Sequence, residues 1–373
     1  MSDAPDFQGL VGLFEETHRA LQARAARSVD VALVVRNWLF GYYIVEYEQG
    51  GVDRAQLYGK ALIDRLATAL SGKGLRGISP TNLRKFRAFY EGYPGIQQTV
   101  SVESGAGATL PDMRQTLSVA SAVTRTLQPA LLEALIGHFK LGWSHYVALL
   151  TLGNPDERRF YELEAIAGAW SVRELERQIG SGLYERLALS RDKGAIRKLS
   201  EQGLAIEKPA DIVKSPYVLE FLGLAEQARY SEHELETAII DKLEHFLLEL
   251  GKGFLFEARQ KRFTFDNDHF YVDLVFYNRL LRCYVLIDLK VDKLTHQDLG
   301  QMQMYVNYFD RHVRTEAESP TIGILLCHRK NDALVELTLP ENSNIYASQY
   351  QLYLPSKEEL RQKLIAWAEE VGK

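Results

Sequence analysis

Hydrophobic residues recur every three or four positions from Phe7 to about Ser200, and almost no stretch in this half of the chain alternates with period two. A repeat of this length places apolar side chains on one face of an α-helix. The first half is therefore predicted to be all-α. The predicted helices cover residues 28–48, 56–70, 80–93, 129–150, 155–169 and 171–189.

The pattern changes to that of β-strands after a predicted helix at residues 231–250. Strands are predicted at 254–265, 270–277 and 283–290, followed by a helix at 295–309 and a strand at 321–327. A weaker strand pair at 336–339 and 351–354 and a helix at 357–370 complete the chain. We therefore expect an α+β protein, with a helical domain at residues 10–200 and an α-β-β-β-α-β domain at residues 215–373.

Composition narrows the classes of protein without identifying one. A chain of 373 residues that is 46% hydrophobic can form two cores. Its longest apolar runs, such as residues 146–150, are far shorter than the roughly 18 residues that a bilayer span needs, and residues 1–8 lack the features of a secretion signal. We expect a cytoplasmic protein with no membrane partner. Cys283 and Cys327 lack the spacing of a zinc site or a disulfide framework, which favours a packing role.

Two carboxylates stand inside the apolar runs of neighbouring predicted strands. Asp273 lies in Tyr-Val-Asp-Leu-Val, and Asp288 lies in Val-Leu-Ile-Asp-Leu-Lys. Pairing the two residues centres the hairpin between Leu280 and Leu281, in the middle of the predicted turn, so the carboxylates are expected side by side. Strands that are apolar on both faces are covered, and a covered carboxylate must be paired or bind a metal. Oxygen ligands of this kind suit Mg²⁺ or Mn²⁺.

Lys290 follows Asp288 by two residues, so its ammonium group is expected on the same face of the sheet. An ammonium group at that place could orient an attacking water and offset negative charge on a phosphodiester. The main-chain carbonyl of Leu289 is predicted as a further metal ligand. The alternative is a structural ion-pair network, which would be a costly way to stabilise an apolar sheet.

The flanking helices offer further candidates. Glu236 lies beside the apolar stripe of the helix before the sheet and could reach the cation, although Glu232 and Glu234 are alternatives on the same helix. The helix after the sheet carries Gln301 and Gln303, and an amide there could orient a phosphate or a water.

This arrangement resembles the PD-(D/E)XK nuclease superfamily, whose core is α-β-β-β-α-β with an acid on the second strand and an acid-x-Lys sequence on the third. The resemblance implies a restriction-endonuclease-like fold and assigns catalytic roles. Asp273 would be the first acid, Asp288 and Lys290 the Asp-x-Lys pair, Glu236 the helix acid and Gln301 the helix glutamine. Val272 stands where the superfamily's name has proline, a position that varies widely.

The wider chain, from about residue 28 to 354, is similar to the YhcG family of bacterial nuclease-domain proteins. The likeness rests on short phrases in both halves, which include Asn37-Trp38, Trp143-Ser144-His145-Tyr146, Trp170-Ser171, Phe246 to Gly251, Arg259-Gln260 and Gly300-Gln301-Met302. It implies a helical first domain joined to a nuclease-like domain, in a family often linked to restriction and DNA maintenance.

A basic segment lies inside this acidic chain, which has a net charge of −5. Residues 53–91 carry eight basic and three acidic side chains. Two predicted helices here, joined by a glycine-containing turn, form a candidate helix-turn-helix at residues 56–94. Predicted DNA contacts are Asn82, Arg84, Lys85 and Arg87, together with Arg259 and Gln260 on the first strand of the sheet. A solvated helix face and a polar edge strand are the respective alternatives.

Together these features predict an endonuclease that uses Mg²⁺ or Mn²⁺ to hydrolyse phosphodiester bonds in a nucleic acid, with DNA favoured over RNA. Its expected processes are DNA restriction, repair or recombination, with partners drawn from restriction-modification or DNA-repair systems. A catalytically inactive DNA-binding or complex-forming accessory protein is the alternative. Self-association into a homo-oligomer through the helical half is a third hypothesis.

Overall fold

The computed structural model describes residues 7–24, 29–50, 60–94, 96, 129–189, 193–214, 216–225, 230–340, 343–354, 356, 358–360 and 362. The chain divides into two compact units, Met1–Leu175 and Glu176–Lys373. This division falls ahead of the boundary expected between residues 200 and 215. The reason lies in the second unit, where Arg177 and Arg186 bond Glu249 of a later helix and so tie residues 176–189 to the sheet domain.

The described part of the first unit is helical, as predicted. Its helices are α1 (Phe7–Arg24), α2 (Val29–Gly50), α3 (Lys60–Gly72), α4 (Pro80–Gly92), α5 (Pro129–His138), α6 (Trp143–Leu149) and α7 (Pro155–Ala167), and α8 (Val172–Gly180) crosses into the second unit. The single helix expected at 129–150 is two helices, because Gly142 adopts an extended conformation at the start of α6. The predicted helix at 171–189 is interrupted by Gly182, whose φ is +64°.

Aromatic rings fill the core between α2 and α4. The rings of Trp38 and Tyr90 meet edge to face at 5.3 Å, and Tyr42 lies 5.4 Å from Tyr90. Gly41 lets the two helices approach closely, since an added Cβ would lie 2.0 Å from the carbonyl oxygen of Phe86. These rings are therefore core residues and not platforms for nucleobases.

A six-stranded mixed sheet organises the second unit, in the order β1-β6-β5-β4-β3-β2. The strands are β1 (Tyr217–Val218), β2 (Phe254–Phe265), β3 (Asp268–Asn278), β4 (Cys283–Lys293), β5 (Ile322–Arg329) and β6 (Ile345–Gln351). The helices are α9 (Leu183–Leu189), α10 (Lys193–Gln202), α11 (Glu232–Asp241), α12 (Leu243–Leu250), α13 (His296–His312) and α14 (Asp332–Thr338), with 3₁₀ turns at Pro209–Ile212 and Glu220–Leu222. The predicted α+β class and the α-β-β-β-α-β order are confirmed.

Both faces of the central strand β4 are covered. Leu235 and Ile239 of α11 pack with Ile287 on one face, and Met302 of α13 packs with Leu286 on the other. The antiparallel register of β3 and β4 joins Asn278 to Cys283 and Leu274 to Ile287, which centres the hairpin between Leu280 and Leu281 as predicted. Both faces of β4 carry apolar side chains, and the strand is buried on both sides as this pattern predicts.

Three further predicted elements, all in the second unit, differ from the structure. The helix expected at 231–250 breaks at Lys242, which ends α11 and begins α12 with φ −119° and ψ 31°. The strand expected at 336–339 is wrong, because this segment belongs to α14, which Asn331 caps by accepting the N–H of Leu334 at 3.3 Å. The strand expected at 351–354 lies earlier, as β6. The helix predicted at 357–370 falls largely outside the described residues.

Within the described ranges, no helix combines the length and the apolar character needed to cross a bilayer.

Candidate active site

Asp273 of β3 and Asp288 of β4 lie at the end of the ladder that joins these two strands. Asp288 is 2% exposed, and Asp273 is half-buried. Asp273 Oδ2 accepts the main-chain N–H of Leu289 at 2.8 Å, so the carboxylate of one strand is fixed to the backbone of the next. The antiparallel hairpin therefore places two acidic side chains next to each other in a covered part of the sheet.

The ammonium group of Lys290 completes this group of charges. Its Nζ lies 2.9 Å from Asp288 Oδ2 and 3.4 Å from Glu232 Oε2. Burial, and then the negative charge of Asp273, raise the pKa of Asp288 to about 7, although Lys290 opposes the shift. Burial lowers the pKa of Lys290, but Asp288 and the other nearby carboxylates outweigh it and raise that pKa overall. Lys290 thus stays an ammonium group.

The three glutamates of α11 have three different environments. Glu234 closes a capping box at the start of the helix, where its Oε2 accepts the N–H of Ser231 at 2.6 Å. Glu232 contacts Lys290, as described above. Glu236 is 2% exposed and bonds two side chains of β2, through Arg259 Nε at 2.5 Å and Gln260 Nε2 at 2.7 Å. Glu236 and Glu232 therefore border the site, and Glu234 caps the start of the helix.

Gln260 connects Glu236 to the aspartates. Its Nε2 donates to Asp273 Oδ1 at 3.0 Å as well as to Glu236. Across the described residues, no three His, Cys, Asp or Glu side chains converge closely enough to form a metal cluster. Glu236 is joined to Asp273 through the amide rather than through direct proximity. Arg259 and Gln260, predicted as DNA contacts, both lie in this group of polar side chains.

Gln301 of α13 donates a hydrogen bond to the hydroxyl of Tyr305, one helical turn later. Burial raises the pKa of Tyr305 to about 12; the bond from Gln301 opposes this shift, and the charges of Asp288 and Asp273 add to it. The negative charges of both aspartates therefore act on the hydroxyl group of Tyr305. Tyr305 was not among the predicted site residues, although its i, i+4 spacing from Gln301 places the two side chains on one face of the helix.

The donor set of the two aspartates fits a divalent cation. Two oxygen ligands from the protein are typical for Mg²⁺, which keeps several waters, and the charge of adjacent carboxylates favours a cation between them. Burial is the main cause of the upward shift in the pKa of Asp288, and the negative charge of Asp273 adds to it. Asp273 and Asp288 are the residues that could hold such a cation.

The predicted DNA contacts of the first unit lie on α4. Lys85 is exposed, and Arg84 lies 3.6 Å from Asp64 with about half of its side chain exposed. Arg87 is held between Glu48 and Glu91, at 3.1 and 3.3 Å. The Asn82 side chain donates to the carbonyl oxygen of Gly77 at 3.0 Å and so closes the turn before the helix. Residues 51–59, at the start of the candidate helix-turn-helix, lie outside the described residues.

A separate pocket of about 320 Å³ lies between the end of β2 and the far side of α13. Its wall includes Phe263, Phe265, Gln303, Tyr308 and Arg311, and it contains none of the acidic side chains described above.

A three-stranded antiparallel core flanked by helices, with one acid on β3 and Asp-x-Lys on β4, defines a nuclease domain of the PD-(D/E)XK class. Two family models match the chain. The model described as YhcG PDDEXK nuclease domain matches residues 210–365, and the model described as DUF1016 N-terminal domain matches residues 15–186.

A protein of Escherichia coli (strain K12) named "Putative nuclease YhcG" is 39% identical over 347 residues, which cover 92% of this chain and 90% of that protein. The chain belongs to the YhcG family.

Two solved structures resemble part of the chain. A repair endonuclease from Pyrococcus abyssi is 20% identical, with a TM-score of 0.24 over 35% of this chain and 50% of that one. A complex of EndoMS with double-stranded DNA is 16% identical, with a TM-score of 0.24 over 36% of this chain and 50% of that one.

Proposed function

We propose that this protein is a divalent-metal-dependent nuclease that hydrolyses phosphodiester bonds in DNA. The observation that carries the proposal is the convergence of Asp273, Asp288 and Lys290, with Lys290 Nζ 2.9 Å from Asp288 Oδ2 and Asp273 bonded to the backbone of Leu289. Membership of a family with a PDDEXK nuclease domain supports the reaction class. DNA restriction, repair or recombination remains the expected setting.

The side chains have distinct roles in this proposal. Asp273 and Asp288, with the Leu289 carbonyl, would hold Mg²⁺ or Mn²⁺, which supplies Lewis-acid chemistry and neutralises phosphate charge when bound. Lys290 stays protonated beside Asp288 and stabilises the negative charge that develops on the phosphate. Glu236 fixes Arg259 and Gln260 at the edge of the site. Gln301, which donates a hydrogen bond to Tyr305, would orient a phosphate or a water.

The test is a cleavage assay on the purified full chain. Duplex, branched and single-stranded DNA and an RNA are incubated with Mn²⁺, with Mg²⁺ and with EDTA. Wild-type protein should cut at least one DNA only when the metal is present, and Asp288→Asn should abolish cutting. Asp292→Asn is the matched control, because Asp292 is an exposed acid four residues further along the same strand and should keep full activity.

The outcomes separate the hypotheses. Cleavage that Asp288→Asn leaves unchanged assigns the activity to another site or to a contaminant and contradicts the proposal. DNA binding without cleavage on every substrate, together with no uptake of Mn²⁺, favours the accessory DNA-binding protein. Cutting of RNA alone would retain the nuclease and reject DNA as its substrate.

A further inference from the structure

Two consecutive residues of β2 reach the same carboxylate. Arg259 Nε bonds Glu236 Oε1 at 2.5 Å, and Gln260 Nε2 bonds Glu236 Oε2 at 2.7 Å. In a regular strand, successive side chains point to opposite faces of the sheet, so this arrangement requires a local change in the backbone. Gln260 supplies it with a φ of +46°, in the left-handed region that residues other than glycine rarely adopt.

The unusual backbone conformation directs the Gln260 side chain to a particular place. Its amide nitrogen lies 2.7 Å from Glu236 Oε2 and 3.0 Å from Asp273 Oδ1, so one NH₂ group bridges an acid of α11 and an acid of β3. A left-handed backbone conformation is unfavourable for a residue other than glycine, and it persists only where the surrounding contacts stabilise it. Here those contacts are the two carboxylates, and the strained residue belongs to the candidate site.

The bridge affects the oxygen atoms that a cation would use. Asp273 Oδ2 accepts the N–H of Leu289 at 2.8 Å, and Oδ1 accepts the Gln260 amide. Arg259 provides a positive charge for Glu236, and Lys290 provides one for Asp288. The donors from Leu289 and Gln260 are neutral, and the ammonium group of Lys290, which is paired with Asp288, acts on Asp273 only electrostatically. A divalent cation would be attracted to Asp273 and would have to compete with Gln260 for Oδ1.

We propose that Gln260 is a positioning residue that links Glu236 to Asp273 in the cation-free protein and weakens binding of the divalent cation by occupying Asp273 Oδ1. This inference rests on the proposed metal-dependent function. It adds a regulator of metal affinity, because binding of the cation and release of the amide are coupled. Removing the bridge should therefore tighten binding of the metal.

Two variants of the full chain test the bridge. Gln260→Asn keeps an amide and tolerates positive φ, but it is one methylene too short to span both carboxylates. Gln260→Gly removes the amide and suits the backbone conformation. The Kd for Mn²⁺ is measured by calorimetry without nucleic acid, so the readout is independent of cleavage. Both variants should bind Mn²⁺ about tenfold more tightly, the change expected for one hydrogen bond to a charged group.

Gln303→Asn is the matched control. Gln303 lies on α13, donates to Asn307 at 3.2 Å and lines the separate pocket, whose wall contains neither aspartate, so the Kd should stay at the wild-type value. Thermal unfolding in EDTA checks that each variant is folded, and Gln260→Gly decides the outcome if Gln260→Asn does not fold.

Equal or weaker Mn²⁺ binding by the folded Gln260 variants overturns the inference and leaves the metal site intact. Absence of Mn²⁺ binding in the wild-type protein overturns both the metal-dependent function and this inference.

Discussion

Lys290 and Asp288 occupy alternate positions of β4, and their charged atoms lie 2.9 Å apart in a largely buried setting. The carboxylate of Asp288 is 3% exposed and the side chain of Lys290 is 15% exposed. Glu232 of α11 approaches the same ammonium group from the helix side, at 3.4 Å. The ammonium group is thus fixed between the sheet and α11, where its charge is weakly screened by solvent.

Lys290→Met should abolish most cleavage while leaving DNA affinity nearly unchanged. The substitution keeps an aliphatic stem of similar length and removes the charge that is proposed to stabilise the phosphate as it is attacked. Loss of one such group lowers kcat by about 100-fold or more. The measurements are single-turnover cleavage and the Kd for uncleaved DNA in EDTA.

Lys293→Met, an exposed lysine of the same strand, is the control and should retain activity. A loss of DNA affinity that equals the loss of cleavage would instead make Lys290 a phosphate-binding residue.

The sheet of the second unit could be predicted well because the hydrophobic pattern of its strands and the residues of its turns indicate the same structure. The bounds of β2 were predicted to the residue, and the turn at 278–282 fixed the register that brings Asp273 beside Asp288. Where the signal was weak, tertiary structure decided. Residues 332–338 form a helix capped by Asn331, and the two-residue β1 is defined by its pairing with Tyr350 and Gln351 rather than by any pattern of its own.

The site could be predicted only in part, because some of its contacts depend on a backbone conformation and on packing that the sequence pattern does not indicate. Period-two alternation placed Lys290 with Asp288, but no periodicity indicates a positive φ at Gln260, which brings this side chain to Glu236. The sequence favoured Glu236 among the three glutamates of α11 but did not separate their roles. Their different roles depend on β2 and β4, which lie against the helix only after folding.

Glu249→Gln should destabilise the second unit by about 3–5 kcal/mol, the usual cost of removing one partner from a buried ion pair. The carboxylate is fully buried and bonds Arg186 at 2.6 Å, Arg177 at 3.4 Å and the N–H of Val218 at 2.9 Å. Its removal leaves the fully buried guanidinium group of Arg186 without this counter-charge. Urea unfolding at pH 7 measures the change. Glu244→Gln, an exposed acid of the same helix, should change the free energy of unfolding by less than about 0.5 kcal/mol.

The same carboxylate predicts a dependence on pH. Burial opposes ionisation of Glu249, but Arg186, Lys214 and Arg177 outweigh it and lower the pKa from 4.5 to about 2. A lowered pKa in the folded state stabilises the protein above the unfolded value, and this contribution disappears as the pH falls from 4.5 to about 2. Wild-type protein should therefore lose more stability than Glu249→Gln between pH 5 and pH 2.5. Parallel losses in the two proteins would contradict this role of Glu249.

Gly41→Ala should destabilise the first unit although alanine has the higher helix propensity. The new Cβ would lie 2.0 Å from the Phe86 carbonyl oxygen and 2.9 Å from Tyr90 Cβ, so α2 and α4 must separate. Overpacking of this kind costs about 1–3 kcal/mol or more. Gly137→Ala in α5 is the control, because its added Cβ meets no atom within 4 Å. The control should gain up to about 1 kcal/mol, and thermal unfolding of both variants measures the difference. An unchanged Tm for Gly41→Ala would show that the two helices can separate at little cost.

If the basic face of α4 binds DNA, then Arg84 and Lys85 should contribute to affinity more than Arg87 does. Arg87 is already paired with Glu48 and Glu91, whereas Lys85 is exposed and Arg84 has a single, longer ion pair with Asp64. Arg84→Ala and Lys85→Ala should each weaken DNA binding and reduce the slope of log K against log salt by about one, as expected for the loss of one phosphate contact.

Binding is measured at several salt concentrations in EDTA, so that cleavage does not interfere. Lys140→Ala is the control, because Lys140 is an exposed lysine of the same unit outside the basic segment. This variant should leave the slope of log K against log salt unchanged. Arg87→Ala should act mainly on thermal stability, because it removes an interaction within the first unit. If all four variants retain the wild-type salt dependence, the positive charge of α4 belongs to a solvated helix face, and the DNA contacts must come from other residues.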